Sequence, residues 1–195
     1  MAAPPRGADW RFAGAATPGR QAPALGLPEV AFAGRSNVGK SSLINRLTRA
    51  AGLARTSRTP GRTQQINVFA GRDEIAFADL PGYGFARVPQ AVRSSWKGLV
   101  EGYLASRREL RAVVVIVDAR RGIQRDDADL LAYLAAAGRP AVLVANKIDK
   151  LKQGERVRAL AAMRRECADV IAFSAVTGEG ERELWSRLAR AGALG

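Results

Sequence analysis

The 195-residue chain contains no histidine and only one cysteine, Cys167. The absence of histidine excludes a Ser-His-Asp triad and most zinc sites, and it leaves the thiol without a base that could activate it. A single cysteine cannot form an internal disulfide, which fits a reducing compartment. We therefore interpret Cys167 as a packed thiol within a helix and predict a cytoplasmic protein.

Long apolar runs are also missing. No apolar run approaches the roughly 18 residues of a membrane span, and the block at residues 112–117 is long enough only for a buried strand. The first 27 residues lack the apolar core of about seven residues that a secretory signal needs. We expect no contact with a membrane.

Lysine is scarce although the chain is strongly basic. Only five of its 31 basic residues are lysines, at positions 40, 97, 147, 150 and 152, and 18 acidic residues leave a net charge of +13. An excess this large in a small domain favours a polyanionic partner such as nucleic acid, with a merely solvated face as the simpler alternative.

Apolar runs and helical periods alternate along the chain from residue 28 onward. The pattern predicts strands at 30–33, 65–69, 75–78, 113–117, 141–145 and 170–173, and helices at 40–50, 91–106, 126–137, 155–166 and 181–191. This order predicts an α/β fold with a mostly parallel six-stranded sheet, one antiparallel edge strand, and helices on both faces. Residues 1–27 are rich in Ala, Pro and Gly, so we predict a flexible extension before one domain at 28–195, with residues 10–12 able to dock.

A glycine-rich loop between the first predicted strand and helix fits the pattern G-x-x-x-x-G-K-[ST]. Its glycines allow backbone N–H groups to turn onto phosphates, and the helix N-terminus adds partial positive charge. Lys40 is expected to reach the β- and γ-phosphates, and the Ser41 hydroxyl to bind Mg²⁺. The predicted phosphate-binding residues are Gly34, Arg35, Ser36, Asn37, Val38, Gly39, Lys40, Ser41 and the adjacent Ser42.

A second motif, Asp79-Leu80-Pro81-Gly82, closes the predicted strand at 75–78. A carboxylate at Asp79 can hold Mg²⁺ through water, and the Gly82 N–H can approach the γ-phosphate without an intervening side chain. Alone the tetrapeptide is also good turn chemistry, but its place 39 residues after Lys40 favours the phosphate site.

A third motif, Asn146-Lys147-Ile148-Asp149, follows the strand at 141–145. The Asp149 carboxylate can accept from N1–H and the N2 amine of guanine, donors that adenine lacks, so this residue selects GTP over ATP. The Lys147 stem can lie over the purine, and Asn146 can tie this loop to the phosphate loop. After the last strand, Ser174-Ala175 can present a backbone N–H to guanine O6.

Three segments together resemble the EngB (YihA/YsxC) family of bacterial GTPases, which belongs to the TRAFAC class with Era and EngA. They are PEVAFAGRSNVGKSSLIN at 28–45, TPGRTQ at 59–64 and DLPGYG at 79–84. The resemblance extends over about residues 28–191. It implies a Ras-like P-loop GTPase that assists large ribosomal subunit assembly and is linked to cell division and septation.

The resemblance also implies roles for residues outside the three motifs. Thr63 matches the threonine that completes the Mg²⁺ shell, with Thr59 as a rival that spacing cannot exclude. Lys40, Thr63 and Gly82 are then the residues that act on the transferred phosphoryl group. Further nucleotide contacts are implied at Gly61, Arg62, Gln64 and Gln65, and at Phe173, Ser174 and Ala175 around the base.

Tyr83 occupies the position where a Ras-like chain has the glutamine that orients the attacking water. A phenol suits that task poorly, which predicts slow intrinsic hydrolysis. Asn37 matches the position that seats a potassium ion in GTPases resembling MnmE, although it can equally be a simple loop former. We therefore predict hydrolysis that depends on K⁺ or on a ribosomal partner.

The basic residues near the two switch segments suggest how nucleotide state could control RNA binding. Arg55, Arg58 and Arg62 lie in the first segment, and Arg87, Arg93 and Lys97 follow the second. If GTP orders these loops, it also arranges cations for ribosomal RNA phosphates. The expected protein is a monomer that binds GTP or GDP, Mg²⁺ and the large ribosomal subunit.

Two alternatives remain at this point. One keeps the fold but makes the chain a nucleotide-switched RNA-binding or ribosome-binding module whose hydrolysis is incidental, which Tyr83 favours. The other is a P-loop ATPase or kinase, against which Asp149 argues.

Overall fold

A seven-stranded sheet forms the centre of the computed structural model, which describes residues 4–54, 65–83 and 90–194, with side chains from residue 98 onward in the last range. The strands are β1 (Trp10–Ala16), β2 (Glu29–Gly34), β3 (Ile66–Gly71), β4 (Ile75–Asp79), β5 (Leu110–Asp118), β6 (Ala141–Asn146) and β7 (Val170–Ala172). The helices are α1 (Lys40–Thr48), α2 (Gln90–Ser106), α3 (Arg125–Ala136), α4 (Gln153–Glu166) and α5 (Glu181–Arg190). All six predicted strands and five predicted helices are present, with ends shifted by at most three residues.

The strand order is β1-β3-β4-β2-β5-β6-β7, and β3 runs antiparallel to both of its neighbours whereas the other pairs are parallel. The α/β class and the mostly parallel sheet are confirmed. The predicted count of six strands was wrong, because β1 adds a seventh. The antiparallel strand is consequently not at the edge, since β1 covers it.

Strand β1 lies in residues 1–27, for which the sequence predicts a flexible extension. Its alternation is poor, because only Trp10 and Ala16 are buried, so the sequence pattern carries no strand signal. Pairing is stabilised instead by Trp10, whose ring lies 4.3 Å from that of Phe77 and whose Nε1 donates to the Pro5 carbonyl at 2.8 Å. Gly71 leaves room for the indole, since a Cβ there would lie 2.9 Å from it.

Helices cover both faces of the sheet, as predicted. Leu43 of α1 and Leu184 and Trp185 of α5 pack on one face with Phe32 and Phe77. Helices α2, α3 and α4 pack on the other face through residues such as Leu104, Leu134 and Met163. Strands buried on both sides explain why β2, β4 and most of β5 are continuous apolar runs.

The end of α2 is anchored to the start of β2 by a buried ion pair. Arg107 Nη2 donates to Glu29 Oε2 at 2.6 Å, and the Tyr103 hydroxyl donates to Glu29 Oε1 at 2.7 Å. Burial and the neighbouring Glu29 carboxylate raise the pKa of Tyr103. Arg107 also donates to the Pro23 carbonyl, which fixes the chain entering β2.

Two further sequence-based expectations concern the thiol and the membrane. Helix α4 ends at Glu166, so Cys167 lies directly after the helix and not within it; it is a free, half-buried thiol whose pKa burial raises. Among the residues that the structure describes, no helix has the length and apolar character to cross a membrane.

Candidate functional site

The phosphate loop connects β2 to α1 at the carboxyl edge of the sheet. Gly39 caps α1 at φ 96°, and Asn37 also has a positive φ of 65°. A Cβ at Gly34 would lie 2.7 Å from the Ile116 carbonyl oxygen, so this position tolerates no side chain. The glycines thus allow a loop that directs the free N–H groups of the first α1 turn toward its concave side, which is anion-binding geometry.

Lys40, the first residue of α1, forms an ion pair with the Oδ1 atom of Asp79 at the end of β4. Their side chains are only 12% and 9% exposed, so water screens this charge poorly. Ser41 follows Lys40 on α1. The Ser41 hydroxyl and the Asp79 carboxylate are oxygen donors of the kind that Mg²⁺ prefers, so this edge fits the metal expected for such a site.

The segment after β4 runs alongside the phosphate loop. Leu80 N donates to the Phe32 carbonyl at 3.0 Å, and Ser36 N donates to the Tyr83 carbonyl at 3.0 Å. These bonds place Gly82 against Ser36, where a Cβ would lie 3.1 Å from the Ser36 hydroxyl oxygen. The Leu80 side chain packs in the core, so only the Leu80 backbone remains for a nucleotide contact.

The Ser36 hydroxyl oxygen is buried and has no hydrogen-bond partner among the described residues. An unsatisfied buried polar group costs about 1–3 kcal/mol. The hydroxyl lies in the phosphate loop beside Gly82. A phosphate oxygen is a suitable partner for it, so this orphaned group fits a nucleotide ligand.

Tyr83 points toward α3 and not toward the phosphate loop. Its hydroxyl donates to Asp127 Oδ1 at 2.7 Å, and Asp127 Oδ2 accepts from Gln124 N at 2.9 Å. Burial and the Asp127 charge raise the pKa of Tyr83. Burial also raises the pKa of Asp127, despite the bonds from Gln124 and Tyr83 that act in the opposite direction.

Asn146 joins three loops at the end of β6. Its side-chain amide donates to the Val38 carbonyl of the phosphate loop at 2.9 Å, and its Oδ1 accepts from Ala175 N at 3.3 Å. Only 2% of Asn146 is exposed, so these bonds satisfy an otherwise costly buried amide. Asn146 therefore fixes the distance between the phosphate loop and the loop that contains Ala175.

Lys147 bridges the phosphate loop and β5. Its ammonium group donates to the Asn37 carbonyl and lies 3.0 Å from Asp118 Oδ2. Asp118 also accepts two bonds from the Arg120 guanidinium, at 2.8 and 2.6 Å. Burial pushes the pKa of Asp118 upward, but the hydrogen bonds from Arg120 and Lys147 outweigh it and hold the pKa well below its usual range.

Sequence reasoning missed Asp118 and Arg120. A signal was available, because Asp118 ends the most apolar strand of the chain. In the sheet it pairs directly with Asn146, at the edge where a ligand is expected.

Asp149 is held as an acceptor by Ser174. The Ser174 hydroxyl donates to Asp149 Oδ1 at 2.6 Å, and the same oxygen accepts from Val176 N and Thr177 N. The bond from Ser174 lowers the pKa of Asp149, so the carboxylate stays ionised. An ionised carboxylate at this position can accept two donors from one edge of a purine.

Some residues predicted to contact the nucleotide have structural roles instead, and others lie outside the described residues. Ile148 and Phe173 are buried in the core, and their backbones are joined by a 3.3 Å hydrogen bond. The Gln65 side chain donates to Asn67. Gly61, Arg62, Thr63 and Gln64, together with the rival Thr59, lie outside the described residues.

The loop after β7 is also fastened to α1. Arg46 Nε donates to Glu181 Oε2 at 3.0 Å, and Arg46 Nη2 donates to the Thr177 carbonyl at 3.2 Å. Arg49 contributes a second, longer bond to Glu181. Helix α1 thus connects the phosphate loop to the loop that contains Ser174 and Ala175.

Comparison with known proteins identifies the family. A family model described as "50S ribosome-binding GTPase" matches residues 29–147. The "Probable GTP-binding protein EngB" of Solibacter usitatus is 51% identical over 83% of this chain and 85% of that protein. The chain belongs to the EngB family. The relative from Citrifermentans bemidjiense, with the same name, is 46% identical over 91% of this chain and 85% of its own length.

Solved structures agree with this assignment. The crystal structure of a probable EngB GTP-binding protein matches with a TM-score of 0.68 and 27% identity, covering 84% of this chain and 97% of that one. Era, solved with MgGDPNP and a 16S ribosomal RNA fragment, matches with a TM-score of 0.66 and 22% identity over 87% of this chain and 57% of that one, which shows a shared fold. As an EngB-family member the chain binds guanine nucleotide and is a GTPase, which decides against the ATPase or kinase alternative.

Proposed function

We propose that this EngB-family GTPase acts in assembly of the large ribosomal subunit, with slow hydrolysis that depends on K⁺ or on a ribosomal partner. The slow hydrolysis is proposed from the Tyr83–Asp127 hydrogen bond. This bond directs the side chain that follows Gly82 toward α3 and not toward the phosphates. The family description as a 50S ribosome-binding GTPase supports the ribosomal role.

In this proposal the nucleotide lies across the carboxyl edge of β2, β5 and β6. Lys40 and the N–H groups of the phosphate loop bind the phosphates, and Gly82 N–H approaches the γ-phosphate. Asp149 and Ala175 N–H recognise guanine while Lys147 lies along the purine. Asn146 holds the phosphate-binding and guanine-binding parts of the site together through its bonds to Val38 and Ala175.

Ser41, Thr63 and, through water, Asp79 are the residues proposed to hold Mg²⁺. When bound, the metal neutralises charge on the β- and γ-phosphates. The chain's own contribution is positional. Ser41 and Asp79 stand at the ends of adjacent elements, and Lys40 is already beside Asp79.

Potassium dependence is proposed from Asn37. Its carbonyl accepts from Lys147, and its exposed side chain remains available for a cation above the phosphates. The positive φ of Asn37 also suits a simple loop former, because asparagine tolerates this conformation. GTP turnover measured in K⁺ and in Na⁺ distinguishes the two interpretations, since a loop former gives equal rates.

The charge distribution supports a ribosomal RNA partner. Residues 55–64 and 84–97 carry six basic residues and no acidic one, which is nearly half of the net charge of +13. Segments that respond to GTP and carry this charge would couple nucleotide state to RNA phosphate binding. A cytoplasmic, monomeric protein whose loss disturbs division and septation through ribosome supply follows from the same proposal.

Co-sedimentation with purified large ribosomal subunits tests the proposal. We expect binding with a non-hydrolysable GTP analogue to exceed binding with GDP, and to weaken steeply with added salt. Binding that is indifferent to both nucleotide and salt would contradict it. Repeating the experiment in K⁺ and in Na⁺ tests the cation in the same samples.

The second candidate is a nucleotide-switched ribosome-binding module whose hydrolysis is incidental. The position of Tyr83 favours it, because no side chain of the described residues replaces the water-orienting group. Single-turnover hydrolysis with and without large subunits separates the two. Strong acceleration by subunits supports the first proposal, and an unchanged rate supports the second.

A further inference from the structure

A groove lies between the loop that follows β7 and the outer side of α5. One side of it is formed by Gly178 and Gly180, and the other by Arg182, Ser186, Arg187 and Arg190. The groove contains one acidic residue, Glu183. It is formed by the loop after β7, the last strand of the sheet order, and by α5.

The glycine side of the groove is fixed by backbone conformation. Gly178 and Gly180 have φ of 84° and 83°, in the region that side chains disfavour. A Cβ at Gly178 would collide with the Arg46 guanidinium, and one at Gly180 with the Ala172 carbonyl. This side of the groove therefore consists of backbone without side chains.

The helical side of the groove presents free cations. Arg182 and Arg190 are exposed, and neither has an ion pair among the described residues, whereas Arg187 is paired with Asp169. Residues 182, 186 and 190 are four apart and lie on one face of α5. The rise from 182 to 190 is about 12 Å, so the two arginines can reach separate phosphates of one strand.

We propose that this groove binds the phosphodiester backbone of RNA, with Arg182 and Arg190 as its phosphate contacts. The proposal rests on the proposed ribosomal function and names a surface for it. Arginine suits phosphate because its planar fork donates two parallel bonds, and a net charge of +13 favours a polyanion over an acidic protein. The residues that line the groove lie outside the two switch segments in the sequence, so we expect it to tether RNA in either nucleotide state.

The loop on the glycine side also contains Ser174, which holds Asp149, and Thr177, whose carbonyl accepts from Arg46. An RNA strand in the groove would consequently contact the loop that recognises the guanine of GTP or GDP. It would leave the phosphate loop open. The tether and the nucleotide site can therefore be occupied together.

The test compares two double charge reversals in the full chain with GDP bound. Arg182→Glu/Arg190→Glu changes the groove, and Arg6→Glu/Arg20→Glu makes the same change at the opposite, β1 edge of the sheet. Both pairs consist of exposed arginines. Binding is measured to a fluorescently labelled 20-nucleotide oligouridylate over a salt series and to large ribosomal subunits by sedimentation, with GDP affinity as the control for folding.

We expect the groove variant to bind the oligonucleotide and the subunits at least tenfold more weakly, and the control to stay within twofold of wild type. The salt slope should flatten by about 1.4, because two phosphate contacts at roughly 0.7 each are lost. The proposal would be overturned by an equal loss in both variants or by no loss in the groove variant. A loss of binding to subunits alone would also overturn it, because it indicates a ribosomal protein as the partner. Failure of the wild-type protein to bind subunits with any nucleotide would instead refute the proposed function.

Discussion

The Ser174 hydroxyl donates a 2.6 Å hydrogen bond to Asp149 Oδ1, across 25 residues of sequence. The same hydroxyl oxygen accepts two backbone N–H groups from the loop that follows β7. One carboxylate oxygen is thereby fixed and the pKa of Asp149 is lowered. The base site is therefore built by tertiary contact between two loops that each look like an ordinary polar turn.

Replacement of this carboxylate tests the guanine assignment. We expect Asp149→Asn to weaken GDP binding at least about 100-fold, because hydrogen bonds to a charged acceptor are worth about 1.5–3 kcal/mol each. Titration with a fluorescent GDP analogue measures the change. Glu74→Gln, an exposed acid in the β3–β4 turn, is the matched control and should retain wild-type affinity.

The Asp118 carboxylate should contribute pH-dependent stability. Its folded pKa is depressed, so the contribution is complete above its ordinary value of 3.8 and is lost as pH falls toward the folded value. Asp118→Asn should therefore lower stability by about 1–3 kcal/mol at pH 7 and by progressively less below pH 3.8. Thermal unfolding at pH 7 and pH 3 measures both differences.

The exposed Asp129 on α3 provides the control for Asp118. Asp129→Asn should leave the melting temperature unchanged at both pH values, since this side chain is exposed and has no partner among the described residues. A destabilisation of Asp118→Asn that is equal at pH 7 and pH 3 would contradict the role of its charge.

Removal of the Tyr83 hydroxyl tests its role in hydrolysis. Because the hydroxyl donates to Asp127 on α3, Tyr83→Phe should leave single-turnover GTP hydrolysis within about threefold of wild type while lowering stability by about 1–2 kcal/mol. Tyr133→Phe removes a longer hydroxyl bond, of 3.3 Å to the Glu101 carbonyl, and serves as the control for hydrolysis. A tenfold slower hydrolysis in Tyr83→Phe alone would show that the phenol acts at the phosphates.

The Ser36 hydroxyl, which has no hydrogen-bond partner among the described residues, should lower the stability of the nucleotide-free protein and raise that of the nucleotide-bound protein. Ser36→Ala should stabilise the nucleotide-free protein by about 1–2 kcal/mol, because it removes an unsatisfied buried group. It should also reduce the increase in melting temperature that GTP produces. Ser174→Ala, whose hydroxyl makes three hydrogen bonds, should destabilise the free protein in the same assay. Destabilisation of both variants would refute the assignment.

The fold was largely predictable because its elements follow local rules. The strands β2, β5 and β6 are apolar runs that need burial on both faces, and the helices between them show the expected periodicity. Strand β1 was not predictable, since its stability comes from Trp10 against Phe77 and from pairing with β3. The contacts of residues 59 and 61–64 stay predictions, because these residues lie outside the described part of the chain.

The sequence by itself determined the class of ligand, because the loop at 34–41, Asp79 and Asp149 each require particular residue types at particular strand ends. Only the tertiary structure decided which groups surround them: Asp118 beside Lys147, Tyr83 turned to Asp127, and a bare groove beside α5. The physical reason is that chemistry is encoded by residue identity at one position. Hydrogen-bond partners and concave surfaces, in contrast, arise between residues that lie far apart along the chain.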